Sequence, residues 1–195
     1  MHLVFDIFQG IGVAAAVGIR PFLPGLVAGA LAAGDVELSF DHTHFHFLAQ
    51  PLFLLIMVVA IVILGVVERR LAGRGQSRVL TAVLTVCALA IGALFCGGAV
   101  ARSHHSEWIG VGAGIVCAAV GIAATQPLLA RVRGRLDAEA GPILPLLTDA
   151  AAALAAALSI VAPPLGVILV AALVWLLIVG RGATEQKYAG LRILR

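Results

Sequence analysis

Apolar residues run in six stretches, at about 8–33, 47–67, 79–101, 108–130, 143–162 and 164–180, and the short segments between them hold most of the charge. Each stretch is near the roughly 20 residues that a helix needs to cross a bilayer. None alternates with the period of two that barrel strands require, and hydrocarbon offers no partner to a free backbone N–H or C=O. The six spans are therefore predicted to be helices. Little of the chain is left over for a soluble domain, so residues 1–195 read as a single membrane domain.

Composition agrees. Hydrophobic residues make up 62% and charged residues 12% of the chain, where a soluble domain carries about 25% charged residues. The mean hydropathy is +1.10, and the first partner of this chain is the lipid bilayer. Met1–Phe8 contains Asp6 and neither Lys nor Arg, and Arg20-Pro21 interrupts the apolar run, so a cleaved signal peptide is not expected.

Basic residues set the expected orientation. Arg69, Arg70, Arg74 and Arg78 separate spans two and three, Arg131, Arg133 and Arg135 separate spans four and five, and Arg181, Lys187, Arg192 and Arg195 follow span six. The alternate segments hold Asp35, Glu37, Asp41 and Glu107, with Arg102 as their one fixed positive charge. The positive-inside rule then places both termini in the cytoplasm of a multi-pass protein of the bacterial inner membrane. The basic pI of about 9.1 follows from this topology. No basic tract with interleaved aromatics points to nucleic acid, which is excluded as a partner.

An internal repeat suggests the architecture. Residues 13–27 and 116–130 share the pentapeptide AAVGI, at 15–19 and 118–122, and a later proline, Pro24 and Pro127. Two copies of three spans follow, at about 1–102 and 103–181, with a cytoplasmic tail at 182–195. An odd number of crossings per copy inverts the second relative to the first. The expected fold is an all-α integral membrane protein of six transmembrane helices in a 3+3 inverted-topology repeat, with proline-interrupted first and fourth helices. Spans one, four and five, rich in Gly and Ala, are expected at its centre, and the Leu-, Val- and Ile-rich spans two, three and six against lipid.

Candidate chemistry gathers at the interruptions. Pro21 and Pro24 fall midway in span one, and Pro127 follows Thr125 and Gln126 in span four. Proline removes a backbone donor and clashes with the preceding turn, and a half-helix that starts inside the membrane presents free N–H groups and partial positive charge. Arg20 precedes the first break, where a guanidinium costs about 2.5–3.5 kcal/mol on insertion scales. It needs a partner, either a carboxylate that locks the helices or an anionic solute. Asp149, beside Thr148 in span five, is the obvious carboxylate. It could instead titrate or reach the headgroups. Arg20, Pro21, Pro24, Thr125, Gln126, Pro127 and Asp149 are the candidate site for a small anionic or zwitterionic solute.

Five of the six histidines fall in two segments of the same side. His42, His44 and His46 alternate, and His104, His105 and Glu107 lie in the other segment. Converging, they could hold a divalent transition metal such as Zn²⁺, Cu²⁺ or Ni²⁺. A pH-sensing role or simple loop polarity are the alternatives. Cys87, Cys96 and Cys117 lie within spans three and four and read as small packing residues. No P-loop, nucleotide fingerprint, zinc spacing or GxSxG elbow is present.

The segments FQGIGVAAAVGIRPFLPGLVAGAL at 8–31, FLAQPLFLL at 47–55 and EQKYAGLRILR at 185–195 resemble the bacterial membrane-protein family called domain of unknown function 4126. The resemblance implies a short polytopic protein with a glycine-arginine-proline element in its first span, here Gly18, Arg20, Pro21 and Pro24. It implies a second acidic element near the start of span five, matched by Asp149. The family's acidic pair followed by lysine and proline after span two is replaced here by Glu68-Arg69-Arg70, which marks a divergent member. The family brings no established activity. The residues favour a transporter or channel, homo-oligomeric or not, with a midplane site where the copies meet. A membrane scaffold or assembly factor is the alternative, and an intramembrane lipid-modifying enzyme is a weaker one.

Overall fold

The computed structural model describes residues 2–34, 43–71, 78–102, 107–133 and 143–189. They form seven α-helices: α1 (His2–Ile19), α2 (Phe22–Ala33), α3 (Pro51–Leu71), α4 (Arg78–Ala101), α5 (Glu107–Arg133), α6 (Ile143–Val161) and α7 (Pro163–Ala189), with a short 3-10 helix at His46–Ala49 before α3. Among the described residues, α4 to α7 are each long and apolar enough to cross a bilayer, while Val4–Ile19, Phe22–Ala33 and Pro51–Val67 are shorter apolar helices. Prolines punctuate the helices as their missing N–H dictates. Pro51 and Pro163 each open a helix, and α6 ends just before Pro163.

Helix directions can be read along α4. Going down α1, Asp6 pairs with Arg102, Gly10 lies against Cys96 and Ala99, and Ala14 lies beside Gly92. So α1 runs antiparallel to α4. Going down α5, Gly110 meets Cys96 and Val100 and Gly114 meets Gly92 and Ala93, so α5 is antiparallel to α4 as well. Hence α1 and α5 run the same way. The inverted 3+3 repeat, which requires spans one and four to oppose each other, is not seen in this arrangement. The two AAVGI segments do pack side by side, with Gly18 against the Ala118 carbonyl and Gly121 against that of Ala15.

The reason lies at Arg20-Pro21. Span one does not continue through its break but folds back. Gly18 to Pro21 lie beside Leu84, Thr85 and Ala88 in a shared cavity wall, whereas Gly25, five residues past Arg20, is again next to Ile91 and Phe95, and Gly29 is against the Leu48 carbonyl and Leu54. At 1.5 Å per residue the 12 residues of α2 span about 18 Å, short of the roughly 30 Å hydrocarbon core. Thus α1 and α2 form a hairpin with Arg20 at its tip, and the expected six spans become seven helices.

Folding back also separates the two ends of the chain. The first turns of α1 lie with Arg102 at what we term the head end. Ion pairing of Arg20 with Asp149 and the bond from Gln9 to the Ile160 carbonyl make α6 antiparallel to α1, and Gly166 against Phe8 and Gly12 shows α7 setting out from the head. It finishes at the opposite, foot end, where α4 begins. This arrangement differs from the expectation of both termini on one side. Single cysteines introduced at Val4 and Trp108, both exposed, should be labelled by an impermeant maleimide from one face and one at Val79 from the other, in a background lacking Cys87, Cys96 and Cys117. Labelling of Val4 and Val79 from the same face would overturn the fold-back.

The fourth span also departs from expectation, because α5 runs unbroken through Pro127. One proline forfeits one hydrogen bond, here the one that the Ala123 carbonyl would accept, and a transmembrane helix tolerates a single loss of that kind. Thr125 donates to the Gly121 carbonyl at 2.7 Å one turn away. The first copy instead has two prolines within four residues, plus an arginine held by another helix.

Layering follows side-chain size. As expected, α1 is central, packed against α4, α5, α6 and α7, while α3 is peripheral and packs on α2 and the 3-10 helix. Span three was expected to face lipid, but the second half of α4, from Ile91 to Val100, is largely buried. Its sequence IGALFCGGAV is as rich in small residues as spans one and four, and Gly92 and Gly97 let neighbours approach to contact distance.

Candidate functional site at the hairpin tip

Arg20 and Pro21 join α1 to α2, and the Arg20 N–H still bonds the Ala16 carbonyl at 3.3 Å. Its side chain is buried, with 7% of the residue exposed. The Arg20 Nε donates to Asp149 Oδ1 at 3.1 Å and to Thr148 Oγ1 at 3.3 Å. Thr148 in turn donates to the Pro145 carbonyl at 2.8 Å, which holds its lone pairs toward the guanidinium. The Asp149 side chain is 31% exposed, so the pair is dry at the arginine and partly open at the carboxylate. A buried charge is tolerated where it is paired and hydrogen-bonded, and α6 supplies both partners from one turn.

Beside this pair lies a cavity of about 260 Å³ between the hairpin tip, the first half of α4 and the second half of α5. Its polar lining is Arg20, Thr81, Thr85, Thr125 and Gln126, set among Gly18, Ile19, Pro21 and aliphatic side chains of α4 and α5. The Thr85 hydroxyl donates to the Thr81 carbonyl at 2.9 Å, and the Thr125 hydroxyl to the Gly121 carbonyl. Both protons are committed to their own helices.

Of the seven candidate residues, Arg20, Pro21, Thr125 and Gln126 line the cavity, and Asp149 joins it through Arg20. Pro24 is fully buried in the bundle and outside the lining, and Pro127 is exposed on the outer face of α5. Thr81 and Thr85 were not anticipated. Their signal was present as two hydroxyls at i and i+4 on one face of an otherwise apolar helix. A second unanticipated polar cluster sits at the head end, where Asp6 and Arg102 approach to 3.8 Å and Gln9, 4% exposed, donates to the Ile160 carbonyl at 2.8 Å.

The candidate metal ligands are dispersed over described and undescribed positions. His42, His104 and His105 lie outside the described residues. His44 precedes the 3-10 helix and His46 opens it, both exposed, and Glu107 opens α5. Among the described residues, no three His, Cys, Asp or Glu side chains gather as a metal site. Cys87, Cys96 and Cys117 are free thiols.

Several long apolar helices packed around α1, with a buried ion pair, are the features of a multi-pass helical membrane protein. A family model described as "Domain of unknown function (DUF4126)" matches residues 7–181, and the chain belongs to that family. No curated protein and no solved structure matches the chain.

Proposed function

We propose that this protein is a small-solute transporter or channel of the bacterial inner membrane, with the hairpin-tip cavity as its solute site. The observation that carries the reading is a buried arginine in the wall of a half-open cleft that also holds three threonines and Gln126. Ionisable groups at that depth are costly and mark solute or ion pathways by default, and irregular backbone in a membrane occurs where it lines a cavity or is covered by protein. The solute is small, because about 260 Å³ lies below the roughly 300–1,000 Å³ that accommodates drug-sized ligands. An anionic or zwitterionic group faces Arg20. The foot end, flanked by Arg69, Arg70, Arg78, Arg131 and Arg133, is cytoplasmic by the positive-inside rule.

Proteoliposomes holding the full chain, screened for flux of small anions and amino acids, test this reading. Flux of at least one solute is expected, with Arg20→Gln reducing it about a hundredfold, the effect of losing one charged contact worth about 3 kcal/mol. Absence of Arg20-dependent flux and binding across the panel overturns it. A second reading, a membrane scaffold, draws on α3, which leaves Leu52, Leu55, Ile56, Val59, Val62 and Ile63 exposed. Co-purification of a stoichiometric partner, lost on polar substitution along that face, would favour it.

A further inference from the structure

We infer that the solute is a small zwitterion, a carboxylate bearing an ammonium group one or two carbons away, with Arg20 holding the carboxylate and the Thr85 and Thr125 hydroxyls receiving the ammonium. This deepens the solute-site reading above and rests on it.

Charge balance comes first. Arg20 and Asp149 form a neutral pair at 3.1 Å. A guest with net charge would add an uncompensated ion to a low-dielectric site, where charge is expensive unless paired. A zwitterion adds none.

Hydrogen-bond polarity gives the second constraint. A guanidinium can only donate, and its five N–H groups allow a guest acceptor to join Asp149 and Thr148 as partners of Arg20. On the wall that α4 and α5 form, the hydroxyl protons of Thr85 and Thr125 go to the carbonyls of Thr81 and Gly121, which leaves their lone pairs as acceptors. That wall asks for a donor. A halide or a plain carboxylate satisfies Arg20 and faces the lone pairs with nothing to give, whereas a simple amine satisfies the threonines and meets a cation at the other side. One short molecule with both groups satisfies both walls within about 260 Å³.

The test uses alanine and its two truncations on the purified full chain: propionate, which lacks the ammonium, and ethylamine, which lacks the carboxylate. Equilibrium binding by calorimetry is expected to show alanine at least about tenfold tighter than propionate, and no binding of ethylamine. Thr85→Val and Thr125→Val are expected to weaken alanine about tenfold each and to leave propionate unchanged, while Thr85→Ser keeps the hydroxyl and the affinity. Retention of a monodisperse elution peak separates lost binding from lost folding. Propionate or chloride bound as tightly as alanine, in an Arg20-dependent way, overturns the zwitterion and leaves the solute site standing. Alanine binding indifferent to both valine variants overturns the role given to the threonines. Failure of every probe, inorganic anions included, overturns site and solute together.

Discussion

Asp149→Ala is expected to destabilise the detergent-purified protein by about 3 kcal/mol, and the double variant Arg20→Met/Asp149→Leu by much less. Removing one member of a buried pair strands the other, which costs about 3–5 kcal/mol, whereas replacing both by apolar groups of similar size is often near neutral. The lower figure applies because Asp149 is 31% exposed, so water or headgroups already share its charge. Unfolding of the single and double variants, read by tryptophan fluorescence during denaturant titration, completes the cycle. A double variant as unstable as Asp149→Ala would show that the pair does not hold the hairpin tip. The same double variant divides structure from function, because it is expected to fold while losing all Arg20-dependent flux.

The second large effect is steric. A Cβ on Gly114 would run into the Gly92 carbonyl, and would lie 2.8 Å from the Cys96 Cβ and 2.9 Å from the Ala93 Cα, whereas a Cβ on Gly112 meets nothing within 4 Å. Gly114→Ala must therefore push α4 and α5 apart along their tightest seam, at about 1–3 kcal/mol. Gly112→Ala, two residues away on the open face, is expected to be neutral or to stabilise by up to about 1 kcal/mol through helix propensity. Opposite signs in parallel unfolding curves would support the α4–α5 seam. Equal tolerance of both would mean that the helices do not meet there.

The membrane class, the helical spans and the Arg20–Asp149 pair were legible in the sequence, each for a direct physical reason. Hydropathy over about 20 residues reports what must sit in hydrocarbon, and one arginine and one aspartate in apolar runs have few other partners. Helix direction was not legible. Whether a chain continues or reverses at Arg20-Pro21 depends on a few backbone angles, and the residues on either side are equally apolar in both cases. The AAVGI repeat located a true contact, Gly18 against Ala118 and Gly121 against Ala15, but a shared pentapeptide does not state which way its copies run. Thr81 and Thr85 escaped notice because two hydroxyls barely alter the mean hydropathy of α4, although they line the cavity.

Three polar side chains along the first arm of the hairpin and at its tip carry a consequence for biogenesis. Asp6 is matched by Arg102, Gln9 by the Ile160 carbonyl and Arg20 by Asp149, so two of the three wait for α6. The ribosome makes the hairpin first and its counterparts last. Until more than a hundred further residues have emerged, the arginine would face acyl chains at a cost that insertion scales put near 3 kcal/mol. The nascent hairpin must be sheltered in the insertion machinery or rest at the headgroups, and it docks only once the later helices arrive. A chain that stops short of residue 143 has no place to put it.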